Sequence, residues 1–158
     1  MRSRRVKPEK VAQEYVKAQK DRTGFYVKDV PPKGRGVFAD TKFFKGDFLL
    51  QYCGKLCSWE TGDKLEGEQS SGFRFFFKFK GQGFCIDATE EPVTGPSFGR
   101  LVNHGEKEEV NIKLSVIDVE GNPSLCLFAL CDINQDEELL YDYGVDNLPW
   151  KKKVCVVA

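Results

Sequence analysis

Short strand-like runs, set roughly ten residues apart and divided by turn-formers, fill most of this chain. The clearest is 73–80. There Phe73, Phe75, Phe77 and Phe79 alternate with Arg74, Phe76, Lys78 and Lys80, the period-2 pattern of a strand with unlike faces. Phe75, Phe77 and Phe79 are expected to face the core. Gly81-Gln82-Gly83 should turn the chain into a partner strand over 84–87, making a hairpin. Further strands are expected at 36–39, 48–53, 110–119, 125–133 and 138–143, with a turn at Glu120-Gly121-Asn122-Pro123. Residues 58–71 are polar and glycine-rich and read as a loop with at most a short helix. Residues 90–99 hold two prolines and two glycines and read as irregular. One helix is predicted, over 7–20, where Val11, Tyr15 and Ala18 recur at helical spacing. Pro31-Pro32 reads as a rigid extended link after it. The fold class is therefore mainly β with a short N-terminal helix.

A length of 158 residues suffices for one domain with a real core. Thirteen phenylalanines predict an aromatic interior. The apolar runs are far shorter than the roughly 20 residues that span a bilayer, so no membrane role is expected. Met1-Arg2-Ser3-Arg4-Arg5 is not followed by an apolar stretch and does not read as a secretory signal. Net charge is zero, which argues against a globally basic nucleic-acid binder. Basic residues do cluster at the ends: Arg2, Arg4, Arg5, Lys7 and Lys10 at one, Lys151, Lys152 and Lys153 at the other. They read either as solvated termini or as non-specific contacts to DNA phosphates. The six cysteines (Cys53, Cys57, Cys85, Cys126, Cys131 and Cys155) form no C-x-x-C pair, and the one histidine is distant in sequence. No metal site is expected, and the thiols read as reduced and mostly buried.

Three blocks carry chemistry. Lys33-Gly34-Arg35-Gly36 places two glycines one residue apart, which lets backbone turn sharply or approach a ligand closely. Gly99-Arg100-Leu101-Val102-Asn103-His104 contains the only histidine. The third block is Glu138-Leu139-Leu140-Tyr141-Asp142-Tyr143-Gly144, where tyrosines at i and i+2 of a strand share one face.

In that order and at that spacing, the three blocks resemble the SET domain of protein lysine methyltransferases. The resemblance implies small curved sheets around a pseudoknot, with the Asn-His block and the last tyrosine strand meeting at the knot. It divides the chain into an N-terminal flanking helix and linker (1–32), a SET domain (33–144) and a C-terminal closing segment (145–158). It implies S-adenosylmethionine as cofactor, held by Lys33, Gly34, Arg35, Phe73, Asn103, His104 and Trp150. Trp150 is matched to a tryptophan that closes over the adenine where a cysteine-rich zinc segment is lacking. Tyr143 matches the catalytic tyrosine, Tyr141 the position that limits the product to monomethyl-lysine, and Tyr52 a tyrosine of the lysine channel. Asp87, Ala88 and Thr89 match a strand end beside the substrate groove. Two positions depart from the family pattern: Phe73 stands where tyrosine is frequent, and Gly105 where serine is usual, a change expected to loosen that loop.

Tyrosines suit such chemistry. A lysine amine, with a reference pKa of about 10.4, is mostly protonated at neutral pH. A dry aromatic channel disfavours the ammonium form, and hydroxyls on the rings orient the amine. The subfamily resembled monomethylates a lysine of the histone H4 tail on nucleosomes, which implies that partner, a nuclear location and a monomer. Two alternatives stand beside it: a lysine methyltransferase with a non-histone target, and an inactive cofactor- or chromatin-binding relative. The 90–98 segment is longer and richer in proline than the match, and Glu90-Glu91 and Glu106-Lys107-Glu108-Glu109 add acidity near where a substrate peptide would lie.

Overall fold

The computed structural model describes residues 6–142 and the backbone of 153–156. Its largest sheet is organised by a hairpin of β8 (Ile112–Val119) and β9 (Asn122–Ala129), whose two-residue turn has positive φ at Glu120 (53°) and Gly121 (87°). That turn matches the right-handed twist of the strands it joins. β3 (Phe48–Tyr52) pairs antiparallel with β9 on one side. On the other, β10 (Leu140–Tyr141) lies parallel to both β8 and β7 (Asn103–His104). The sheet order is thus β3-β9-β8-β10-β7, and the late strand β10 sits between two earlier ones.

A second sheet runs β11-β5-β6-β4, with β4 (Lys55–Ser58), β5 (Arg74–Phe79), β6 (Gln82–Asp87) and β11 (Lys153–Val156). The β5–β6 turn falls on Lys80-Gly81 (φ 51° and 78°), one residue earlier than the glycine pattern predicts. A third, two-stranded sheet joins β1 (Phe25–Val30) to β2 (Gly34–Ala39). Pro31-Pro32 is therefore not an extended link. It lies in the turn of this hairpin, closed by the Lys33 N–H donating to the Val30 carbonyl at 2.7 Å.

The N-terminal helix α1 (Pro8–Ala18) lies within the predicted range. It docks Ala12, Val11, Tyr15 and Val16 on Phe48, Ile117 and Cys126, with the Tyr15 and Phe48 rings stacked at 5.6 Å. The second helix is the short one allowed for in 58–71, and it takes up most of what reads as loop. Residues 58–71 are mostly helical: α2 spans Trp59–Glu68, and the Ser58 hydroxyl caps it by accepting from the Thr61 N–H at 3.1 Å. α2 covers the outer face of the second sheet. Gly62 presses on Cys85 and Phe76, and Trp59 packs edge-on to Phe76 at 5.1 Å. Phe76 is fully buried for this reason, so the phenylalanine strand is covered on both faces rather than one. Phe75 and Phe77 point into the main core as expected, and Phe79 packs half-buried at its edge.

The crossing of β10 is fixed by one side chain. Asn111 (7% exposed) donates from Nδ2 to the Glu138 carbonyl at 2.9 Å and accepts at Oδ1 from the Leu140 N–H at 2.8 Å. It imitates a strand neighbour for the backbone that leads into β10. Truncation leaves two buried backbone groups without partners. Asn111→Ala is expected to lower stability by about 2–4 kcal/mol, read as a lowered Tm. An unchanged Tm would contradict this role.

Candidate active site

β2 begins at the first chemical block. Gly34 has φ +88°, a conformation that favours glycine, and it swings the chain from the hairpin turn into the strand. Gly36 serves differently: a β-carbon there would lie 2.5 Å from Glu138 Oε2 and 2.9 Å from Asn103 Nδ2. Those two atoms are themselves hydrogen-bonded, Asn103 donating at 2.9 Å. The glycine-rich strand, the Asn-His strand β7 and Glu138, two residues before β10, therefore meet at one point.

Next to that point is a cavity of about 520 Å³ lined by Lys33, Arg35, Phe73, Arg100, Asn103 and His104, among others. Five of the residues matched to cofactor binding thus share one wall system, although they come from three distant stretches. Gly34 sits between two of them. The His104 ring is 38% exposed, with Glu106 and Asp142 each 3.9 Å from one of its nitrogens. Gly105 is not a loosened joint. Its N–H donates to the Tyr141 carbonyl at 3.1 Å, and a β-carbon there would stand 2.7 Å from Leu140 Cβ. The backbone itself ties the loop down.

A second recess, about 620 Å³, is lined by Cys53, Lys55, Leu65, Asp87, Thr89 and Glu91, among others. Asp87 and Thr89, matched to the substrate groove, both face it. Ala88 between them is buried, its N–H donating to the Phe73 carbonyl at 2.8 Å. The Asp87 carboxylate is already engaged: Arg74 Nε reaches Oδ2 at 3.2 Å and the Thr89 N–H reaches Oδ1 at 3.0 Å. Burial alone would raise its pKa, but the bonds from Thr89 and Arg74 outweigh burial and hold the carboxyl below the usual range. Arg74, 8% exposed, also donates to Glu66 of α2 at 2.9 Å, so the wall of this recess is braced from behind by an ion-pair network.

Two contacts join the cavities. Arg35 and Glu91 form an ion pair at 2.8 Å between the glycine-rich strand and the 90–98 segment. Arg100 is the deeper link, and its part was not visible in the sequence. Its side chain is 5% exposed; its guanidinium lies 4.3 Å from the Phe73 ring centroid and donates to the Ala88 carbonyl at 2.8 Å and the Thr89 carbonyl at 3.2 Å. One cation thus fixes an aromatic wall of the first cavity and the strand end lining the second. Phe73 gains this partner without needing a hydroxyl.

Tyr52 and Tyr141 are buried to 1% and 2% exposure and belong to the same core cluster. Tyr52 packs at 6.0 Å, tilted, on Phe75. Gly99 fits closely against the backbone at Gln51 and Tyr52, so the Gly99–Leu101 turn seats the end of β3. Tyr143 and Trp150 lie outside the described residues, as do Arg2, Arg4, Arg5, Lys151 and Lys152.

The family model for the SET domain matches residues 34–144. The chain belongs to the SET-domain family. Among relatives, an N-lysine methyltransferase of Danio rerio, KMT5A-A, is 36% identical over 140 residues, covering 82% of this chain and 39% of its own length. The histone-lysine N-methyltransferase set-1 of Caenorhabditis elegans is 38% identical over 117 residues, covering 71% and 47%. In three dimensions the crystal structure of CpSET8 from Cryptosporidium superposes with a TM-score of 0.72 at 32% identity, over 86% of this chain and 64% of that one. The chain therefore spans less than half the length of these two sequence relatives. The mainly β SET architecture, with an N-terminal helix, agrees with the expectation from sequence.

Proposed function

We propose that this chain is an S-adenosylmethionine-dependent protein lysine methyltransferase that adds one methyl group to a lysine of the histone H4 tail on nucleosomes. The observation that carries the reading is the convergence of Lys33, Arg35, Phe73, Asn103 and His104 on one cavity that adjoins the recess holding Asp87 and Thr89. The names of the relatives, lysine methyltransferases in two animals, point the same way. The cavity suits the cofactor. Its volume is in the range of small-molecule clefts, its cations Lys33 and Arg35 complement a carboxylate, and Phe73 offers an aromatic face to an adenosyl or sulfonium group. When bound, S-adenosylmethionine supplies a methyl group on a positively charged sulfur.

The chain's own residues do the rest. The Lys33–Arg35 backbone and Asn103 hold the cofactor, and Trp150 covers it. Tyr52 and Tyr141, packed in a dry core, wall the channel by which the lysine arrives. Such a wall excludes water and disfavours the ammonium form, so the amine is presented unprotonated. With the cofactor bound, tyrosine hydroxyls would orient the amine lone pair for transfer, and the family match gives the catalytic part to Tyr143. Asp87 at the end of β6, with Ala88 and Thr89 after it, forms the wall against which the peptide lies, the Asp87 carboxylate itself being committed to Arg74 and Thr89. The enzyme acts as a monomer in the nucleus, and the basic termini contact DNA.

Incubation of the chain with S-adenosylmethionine and either H4 peptide or nucleosomes, read by mass spectrometry, tests this. Gain of a single methyl on one lysine, lost in Tyr143→Phe, is the expected result. Cofactor binding with no methylation of either substrate would sink the H4 assignment, and methylation of other peptides would transfer it to a non-histone target. The acidic Glu90-Glu91 in the extended 90–98 segment is the feature that favours this second reading. Tyr141→Phe is expected to shift the product toward dimethyl-lysine, because loss of the hydroxyl makes room for a second methyl. A strictly monomethyl product from that variant would remove Tyr141 from its role.

A further inference from the structure

Cys57 of β4 and Cys85 of β6 stand directly opposite one another in the antiparallel ladder. Directly opposed residues share a face of the sheet, with Cα atoms about 4.5 or 5.5 Å apart according to their place in the ladder. Both separations lie inside the roughly 4.4–6.8 Å that a disulfide accepts. Both thiols are free. Above the pair lies α2, and the residue facing Cys85 from α2 is Gly62, which contributes no side chain. Phe76 continues the same row on β5. Cys85 is fully buried, whereas Cys57 is half-buried and open to a small oxidant. Nothing in the proposed methyl transfer uses either thiol.

We propose that Cys57 and Cys85 form an oxidation site that a peroxide converts to a cross-strand disulfide. The Cys57 thiolate attacks one peroxide oxygen; the O–O bond breaks, hydroxide leaves and Cys57 becomes a sulfenic acid. The Cys85 sulfur then attacks the Cys57 sulfur, the S–S bond forms, the S–O bond breaks and a second hydroxide leaves. The protons released by the two thiols complete two waters. Each sulfur is oxidised by one electron and the peroxide is reduced by two. Burial, reinforced by the neighbouring Cys57, raises the Cys85 thiol, so this second step is the slow one. The bond closes α2 and β5 into one covalent loop at the wall of the recess that holds Lys55 and Asp87.

The full chain treated with hydrogen peroxide, then mapped by non-reducing digestion and mass spectrometry, tests the site without any methyl donor. The expected product is a peptide joining Cys57 to Cys85, reversed by dithiothreitol and absent in Cys57→Ser. The oxidised form should melt about 5–10 °C higher than the reduced form. Oxidation confined to Cys131 or another thiol, with Cys57 and Cys85 both still alkylated, would overturn the proposal. So would over-oxidation of Cys57 alone with Cys85 left reduced. Both outcomes are read in the wild-type chain, so the result does not depend on a variant folding.

Discussion

Arg100→Ala should lose lysine methylation to background and about 3–5 kcal/mol of stability, the two read by turnover and thermal unfolding. The guanidinium is buried and donates to the carbonyls of Ala88 and Thr89, so truncation strands two acceptors at the strand end that lines the second recess. Bonds from a charged donor are worth roughly twice those between neutral groups. The same truncation removes the cation over Phe73, freeing an aromatic wall of the cavity proposed to hold the cofactor. Arg100→Lys separates the two effects. It keeps the charge but cannot make two directed bonds from a planar fork. It should fold with a smaller loss of Tm yet still turn over at least roughly tenfold more slowly than wild type. Wild-type turnover in both variants would refute the bridging role.

The sequence carried the strands because their signals are local. Alternating side chains and glycine-bearing turns lie within a few residues of what they determine, and most of the expected strands were found. α2 reads as loop with at most a short helix for a reason equally specific. Gly62 and Gly67 in ten residues look like loop, and only Trp59 and Leu65 are large and apolar. Gly62 is there because Cys85 and Phe76 press on it, a constraint from strands that come later in the chain. The cap at Ser58 with Thr61 was the one local sign of a helix. That Lys33, Phe73 and Asn103 would share one cavity was legible only through the resemblance, since no local pattern links them. Arg100 lies within the second chemical block, but its role depends on where Ala88 and Thr89 fall in space. The same holds for Asn111, whose side chain stands in for a strand across a gap of 27 residues.

Gly99→Ala should be the most damaging of the conservative substitutions, costing about 3 kcal/mol or more and depressing turnover beyond what the lost stability explains. The reason is what its β-carbon would strike. At Gly36 the obstacles are the far ends of Glu138 and Asn103, which can rotate away at the cost of one hydrogen bond. At Gly99 the obstacle is backbone, the Gln51 carbonyl and Tyr52 Cα, in a strand held by its ladder to β9. Neither side can yield without moving β3 or the turn that carries Arg100. Moving β3 displaces Tyr52 from its packing on Phe75 and from the channel role proposed for it, and moving the turn withdraws Arg100 from Ala88 and Thr89. The second shift reaches both cavities at once, because Arg100 touches the Phe73 wall of one and the Ala88-Thr89 strand end of the other. The measurement is therefore a comparison at a temperature where Gly99→Ala is still fully folded by circular dichroism: turnover should already be far below wild type there. A folded variant with wild-type turnover would show that the close approach at Gly99 is only packing, and that the geometry of Tyr52 does not depend on it.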